Sequence, residues 1–153
     1  MQFMKSRGQG TTEYLIILAI VIVIALVVVG VLGGFGSQGS AISASQSEAY
    51  WSTLQPIAII DWSIPSSGTG SLVFKNLSPN MLTITDINWN NANVDITDTI
   101  IAPSQTTTIT STSFTCGGST SQSFSRAVGY TYTTSTLTGV KVYGRTPMVG
   151  KCQ

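Results

Sequence analysis

The sequence contains no histidine, and only 8% of its 153 residues are charged, seven Lys and Arg against six Asp and Glu. Typical soluble domains carry about 25% charged residues. Without an imidazole there is no triad base and no side chain that titrates near neutral pH in its ordinary state. The acids beyond Glu13 are Glu48, Asp61, Asp86, Asp95 and Asp98, and none stands in a recognisable catalytic signature. No enzymatic activity is expected. Cysteine occurs twice, at Cys116 and Cys152, with no C-x-x-C spacing, so a zinc site lacks a ligand set, and neither a metal nor another cofactor is expected. Asp86, Asp95 and Asp98 lack the D-x-D-x-D-G loop of a calcium site and read as solvated turn carboxylates. A formal net charge of +1 gives no reason to expect nucleic acid as a partner.

What the chain does have is an unbroken apolar run from Leu15 to Leu32. As a helix rising about 1.5 Å per residue, such a run nearly matches a hydrocarbon layer about 30 Å thick. Secretory signal peptides have shorter apolar regions, about 7 to 15 residues, followed by a small-residue cleavage site. Here the run is longer and leads into Gly33-Gly34-Phe35-Gly36. Lys5 and Arg7 precede it, so the positive-inside tendency places the N-terminus in the cytoplasm and everything after Phe35 outside. Glu13 stands at the expected helix start, where the helix dipole and free N–H groups favour an acid by about 0.3–1 kcal/mol.

The polar lead-in carries a resemblance. Lys5-Ser6-Arg7-Gly8, then Gln9-Gly10-Thr11-Thr12-Glu13-Tyr14 and an aliphatic helix, is similar to the class III signal peptide of archaeal type IV pilins, with their Q-x-x-x-E-Y pattern after the cleaved glycine. The likeness covers about the first 35 residues. It implies that residues 1–8 are a leader, that Lys5, Arg7, Glu13 and Tyr14 serve its recognition, and that a prepilin peptidase cuts between Gly8 and Gln9. It also implies an assembly ATPase with a membrane platform, membrane lipid around the precursor helix, and a helical homopolymer as the final state. In that polymer Glu13 needs a cationic partner, because an unpaired buried charge costs several kcal/mol. The new amine on Gln9 would supply it, from the same subunit or a neighbour.

Beyond the run, Gly30, Gly33, Gly34 and Gly36 crowd around Phe35, which permits a bend or a close helix approach. From Ser37 to Leu54, Ile42, Ala49, Tyr50 and Leu54 recur at roughly helical spacing until Pro56 stops the pattern. Residues 9–55 are thus expected to form one long helix, with a bend permitted near Gly33 to Gly36. Residues 56–153 read as β. Ile57 to Ile64, Ser71 to Leu77, Met81 to Trp89, Val94 to Ile101, Thr106 to Phe114, Ser123 to Thr133 and Val140 to Tyr143 are strand-sized. Turn residues such as Pro65-Ser66-Ser67-Gly68, Asn90-Asn91 and Cys116-Gly117-Gly118 separate them. The fold class expected is α+β, a long N-terminal apolar helix followed by a small antiparallel β-sandwich. An immunoglobulin-like form of that domain is what the resemblance implies.

Because that domain lies outside the membrane, Cys116 and Cys152 are expected to form a disulfide. Asn76-Leu77-Ser78 is the sole N-x-S/T sequon, with Pro79 directly after it. Its place at a strand end permits exposure and glycosylation of Asn76. Trp51, Trp62 and Trp89 read as core or interface aromatics.

Two functional classes fit these features. One is a filament subunit at the cell surface, most simply an adhesive pilin, since Glu13-Tyr14 resembles pilins more than motility archaellins. The other is an uncleaved, signal-anchored protein that displays its β domain from the membrane. They differ in the fate of the bond between Gly8 and Gln9.

Overall fold

A computed structural model describes residues 9–153, with side chains described for 12–30 and 43–153. One helix, α1, covers Gln9–Thr53. It is followed by β1 Ile57–Ser63, β2 Gly70–Asn76, β3 Leu82–Trp89, β4 Ala92–Ile101, β5 Thr106–Ser111, β6 Ser123–Arg126, β7 Val128–Thr133, β8 Val140–Tyr143 and β9 Met148–Lys151. Every pairing among these strands is antiparallel. The chain is therefore α+β, an N-terminal apolar helix followed by antiparallel sheets. It divides into two compact units between Ser40 and Ala41, so the last turns of α1 belong with the sheets.

The Ile and Val that fill the first half of α1 are not strong helix formers in water. In apolar surroundings a helix is favoured because it satisfies each backbone N–H and C=O within the segment. At the other end, the Ser52 and Thr53 hydroxyls donate to Ala49 O, each at 3.0 Å, and Pro56 follows. Ser47, Tyr50 and Trp51 share one helix face by their i, i+3, i+4 spacing, and that face seats the helix end on the segment from Gly144 to Val149. Ser47 Oγ donates to Pro147 O and accepts from Val149 N, both at 3.0 Å. Tyr50 Oη accepts from Arg145 N at 2.8 Å. The Trp51 indole is fully buried and lies so close to Gly144 that a Cβ there would overlap the ring.

The strands form three sheets, in the orders β1-β2-β5, β4-β3-β7-β8 and β6-β9. Alternation of buried and outward residues along β2 is complete, with Leu72 and Phe74 inward. In β3 the inward positions are Leu82, Ile84, Ile87 and Trp89. The step of three between Ile84 and Ile87 coincides with the register shift against both neighbours, as a bulge requires. Asn90 and Asn91, both at positive φ (51° and 67°), make the two-residue β3–β4 turn that such residues favour.

Two details depart from the strand pattern read in the sequence. The run from Ser123 to Thr133 is two strands, because Ala127 breaks away to accept a hydrogen bond from Asn90 N at 2.7 Å, and β6 and β7 join different sheets. β9 follows Pro147 and contains Gly150, so its four residues give little strand signal.

One buried cluster takes side chains from all three sheets, among them Ile57, Phe74, Ile84, Tyr130, Phe124 and Met148. Tyr130 joins β7 to β1: its hydroxyl donates to Ile57 O at 2.8 Å, and its ring meets Phe74 edge-on at 6.2 Å. Burial pushes the Tyr130 phenol well above its ordinary value, outweighing the opposing pull of that hydrogen bond. The native state thus holds the proton more tightly than the unfolded chain does. The corresponding stability is fully present below the unfolded value, about pH 10, and is lost as pH rises above it toward the folded value. Thermal unfolding followed by circular dichroism in detergent should show Tyr130→Phe less stable by about 1 kcal/mol at neutral pH. The gap should close as pH rises past about 10, since only the wild type loses this contribution.

Candidate functional site: an apolar helix with no water-facing side

Thr12–Gly30 of α1 is a 19-residue segment of mean hydropathy 3.0, none of it buried within the described chain. At about 1.5 Å per residue it is about 28 Å long. It is long and apolar enough to cross a membrane. Leu15, Ile16, Ile17, Leu18, the run Ile20–Ile24 and the run Leu26–Val29 are each between 42% and 67% exposed. At 100° per residue they cover every side of the helix, so no face is left for water. Holding so many half-exposed aliphatic side chains in water would cost on the order of 15 kcal/mol relative to covering them. Covering the segment, as a membrane anchor or signal segment is covered, is therefore strongly favoured over exposure to water. Ala19, Ile20, Val23 and Ile24 outline a shallow, wholly apolar groove along it.

Glu13 and Tyr14 are both exposed, Tyr14 at 64%. Because α1 begins at Gln9, a turn earlier than Glu13, the first turn holds no acid. The dipole stabilisation expected of Glu13 falls away, since that effect fades beyond the first turn. Positions 9 and 13 are four apart and therefore share a helix face. Lys5, Arg7 and Gly8 lie outside the described residues, as does the side chain of Gln9.

Cys116 and Cys152 are joined by a disulfide, with Cα atoms 5.8 Å apart across a separation of 36 residues. Closing a loop of that length stabilises by about 4 kcal/mol in the chain-entropy account. Backbone bonds extend the tie: Cys116 N donates to Pro65 O, Cys152 N to Gln122 O, and Gln153 N to Ile64 O, between 2.8 and 3.1 Å. Arg126 reaches in to donate to Cys116 O. Residues 152 and 153 are thus held from the segment just after β1, from the loop before β6 and from the loop after β5.

Asn76 corrects the exposure expected of the sequon. It is fully buried, and its amide nitrogen, the atom a sugar would occupy, donates to Asn80 O at 2.7 Å and Ile101 O at 2.9 Å. Its Oδ1 accepts from Ser78 N and Ser78 Oγ, both at 2.8 Å. Asn76 is the pin of the β2–β3 turn and offers no free amide for modification. The turn placement of three acids is corrected too: Asp86 lies in β3, and Asp95 and Asp98 lie in β4. Asp86 and Asp95 are directly opposite each other, and Asp86 accepts hydrogen bonds from Asn93 Nδ2 at 3.1 Å and Thr85 Oγ1 at 3.2 Å. Trp51 and Trp89 are core residues and Trp62 is packed against the core. Ser47 gave no signal in the sequence, because one serine in an Ala/Ser/Gln tract is indistinguishable from its neighbours until its partner segment is in place.

Neither a protein-family model nor a curated protein matches the chain.

A single lysine at the centre of the apolar segment, Val21→Lys, should lower the fraction of protein that stays with membranes after alkaline extraction, corresponding to about 3 kcal/mol of insertion free energy. Asn76→Ala should remove the donor to Ile101 O and Asn80 O and the acceptor of Ser78 N and cost about 3 kcal/mol, read as a lowered unfolding midpoint. Enzymatic deglycosylation should leave the gel mobility of the wild-type protein unchanged.

Proposed function

We propose that this chain is the structural subunit of a cell-surface filament of the archaeal type IV pilin kind. A membrane peptidase removes residues 1–8 by cutting after Gly8, and the mature chain begins at Gln9. The segment from Thr12 to Gly30 then leaves the lipid and packs with the same segment of neighbouring subunits. An assembly ATPase and its membrane platform drive that transfer. The sheets form the filament exterior, where they serve adhesion. We read the β1-β2-β5 and β4-β3-β7-β8 sheets as the two leaves of a small immunoglobulin-like sandwich. This is supported by the single cluster into which Leu72, Phe74, Ile109, Ile84 and Tyr130 all turn.

The observation that carries this reading is the pairing of a helix apolar on all sides with a single acid, Glu13, four residues beyond the expected cut. A plain anchor has no use for a carboxylate at that spacing. In a dry helix bundle a carboxylate is stabilised only by a positive partner, and cleavage creates one at Gln9. Position 9 opens the helix and shares a face with position 13.

Mass spectrometry of surface-sheared material should find Gln9 at the N-terminus; Met1 retained in the assembled form would refute the filament reading in favour of an uncleaved anchor. Glu13→Ala should leave processed, membrane-bound protein with an intact β unit while reducing sheared subunit by about tenfold or more. Glu13→Gln, which keeps the shape and removes the charge, should behave the same way. Normal filament yield in both variants would remove the ion pair from the mechanism.

A further inference from the structure

The four-stranded sheet ends in two unpaired edges. β4 pairs only with β3, and β8 pairs only with β7. A groove lined by Asp95, Thr97 and Thr99 of β4 and by Thr108 and Thr110 of β5 runs between these two strands, which share no ladder. Charges are segregated across the sheet. β3 and β4 carry Asp86, Asp95 and Asp98 and no base, while β8 and the turn after it carry Lys141 and Arg145 and no acid.

The register gives this segregation a geometry. Asp95 pairs with Asp86, Asp86 with Thr131, and Thr131 with Lys141. These four residues form one row across the sheet, and paired residues point to the same face. The row begins with two carboxylates side by side, an arrangement that costs stability, and ends with an ammonium. Three strand spacings, about 14 Å, separate Asp95 from Lys141 within the chain, too far for an ion pair. A second row runs Asn93, Asn88, Gly129, Tyr143. Tyr143, 58% exposed, lies across Gly129, where a Cβ would come within 2.7 Å of the tyrosine ring.

We infer that the β8 edge of one copy docks against the β4 edge of the next, Lys141 beside Asp95 and Tyr143 beside Asn93. Because the sheet has four antiparallel strands, its two edge strands run in opposite directions. A second copy displaced sideways without being turned over therefore presents β8 antiparallel to β4. The two pairs also agree in register, since an antiparallel pairing that joins 141 to 95 necessarily joins 143 to 93. The same register brings the half-buried Val142 beside the half-buried Val94 on the inner face. Such an interface is head-to-tail and leaves a free edge at each end, the type that builds open assemblies. Copies would repeat at four strand spacings, about 19 Å. The occupant is a second copy of this chain, because the acidic edge meets its complement on the same molecule. The inference rests on the filament reading in requiring copies that share one orientation.

The test uses the second row to report on the first. Full-length chain carrying Asn93→Cys and Tyr143→Cys is expressed in cells and oxidised on the intact surface. Antiparallel partners have Cα atoms about 4.5–5.5 Å apart, a span that a disulfide bridges. The native Cys116–Cys152 bridge is buried and stays closed. A ladder of dimers and higher species on a non-reducing gel is expected from the double variant, and none from either single variant alone. Adding Lys141→Asp should reduce the ladder by about tenfold, and adding Asp95→Lys to that variant should restore it. Absence of a ladder from the double variant overturns the inference and leaves the edge charges as guards against strand pairing. Electron microscopy of the same cells separates the two readings. Filaments without a ladder refute only the edge pairing, whereas a ladder without filaments refutes only the filament.

Discussion

Everything about this chain follows from a helix segment that has no side it can turn to water. In an ordinary amphipathic helix the polar face sets which way it sits on its domain. Between Leu15 and Val29 there is no such face, so nothing in the segment selects one neighbour over another except shape and the lone carboxylate at its start. That makes the segment as compatible with lipid as with other apolar helices, and the proposed transfer from membrane to filament depends on that indifference. Specificity must come from elsewhere in the chain: from Glu13 at one end and from the β unit at the other.

The β unit meets the opposite problem, how to hold a fold with very few charges. Its solution is hydrogen bonds from neutral groups at a handful of junctions. Ser47 and Tyr50 fix the helix end, Tyr130 joins two sheets, and Asn76 pins a turn, each through a backbone partner. Neutral hydrogen bonds of this kind are little affected by salt, unlike surface ion pairs. Among the few charges, Arg126 and Asp86 share in that work, through Cys116 O and Asn93 Nδ2, while Asp95, Asp98 and Lys141 remain exposed on the surface of one sheet.

The sequence made the architecture legible where periodicity was strong. The apolar run, its extension to about residue 53, the antiparallel β character and the boundaries of β1, β2, β3 and β8 to within a residue or two all come from pattern and from Pro, Gly and Asn at turns. It was silent or misleading where a local signal depends on distant partners. Ser123 to Thr133 looks like one strand because nothing local marks Ala127 as the point where two sheets part. β9 is too short and too glycine-containing to register. Asn76 looked like a surface sequon because burial of a polar side chain is recognisable only once its four hydrogen-bond partners are placed. α1 already includes Gln9, so position 13 lies beyond the first turn, which nothing in the local pattern around Glu13 marks. How the sheets close around their shared cluster depends on packing that no single strand encodes.

The segment that receives the helix end, Gly144 to Val149, lies inside the loop closed by Cys116 and Cys152. A pull on α1 therefore enters the β unit along two routes, through the backbone at Pro56 and through the Ser47, Tyr50 and Trp51 contacts into a covalently locked ring. If the second route gives way, the residues between the cysteines cannot pay out as slack. About 120 Å of contour, at about 3.4 Å per residue, is withheld from extension. Mechanical load on the helix thus stretches the domain only as far as the chain before Cys116 permits, and the part that grips the helix end remains a closed loop ready to seat it again.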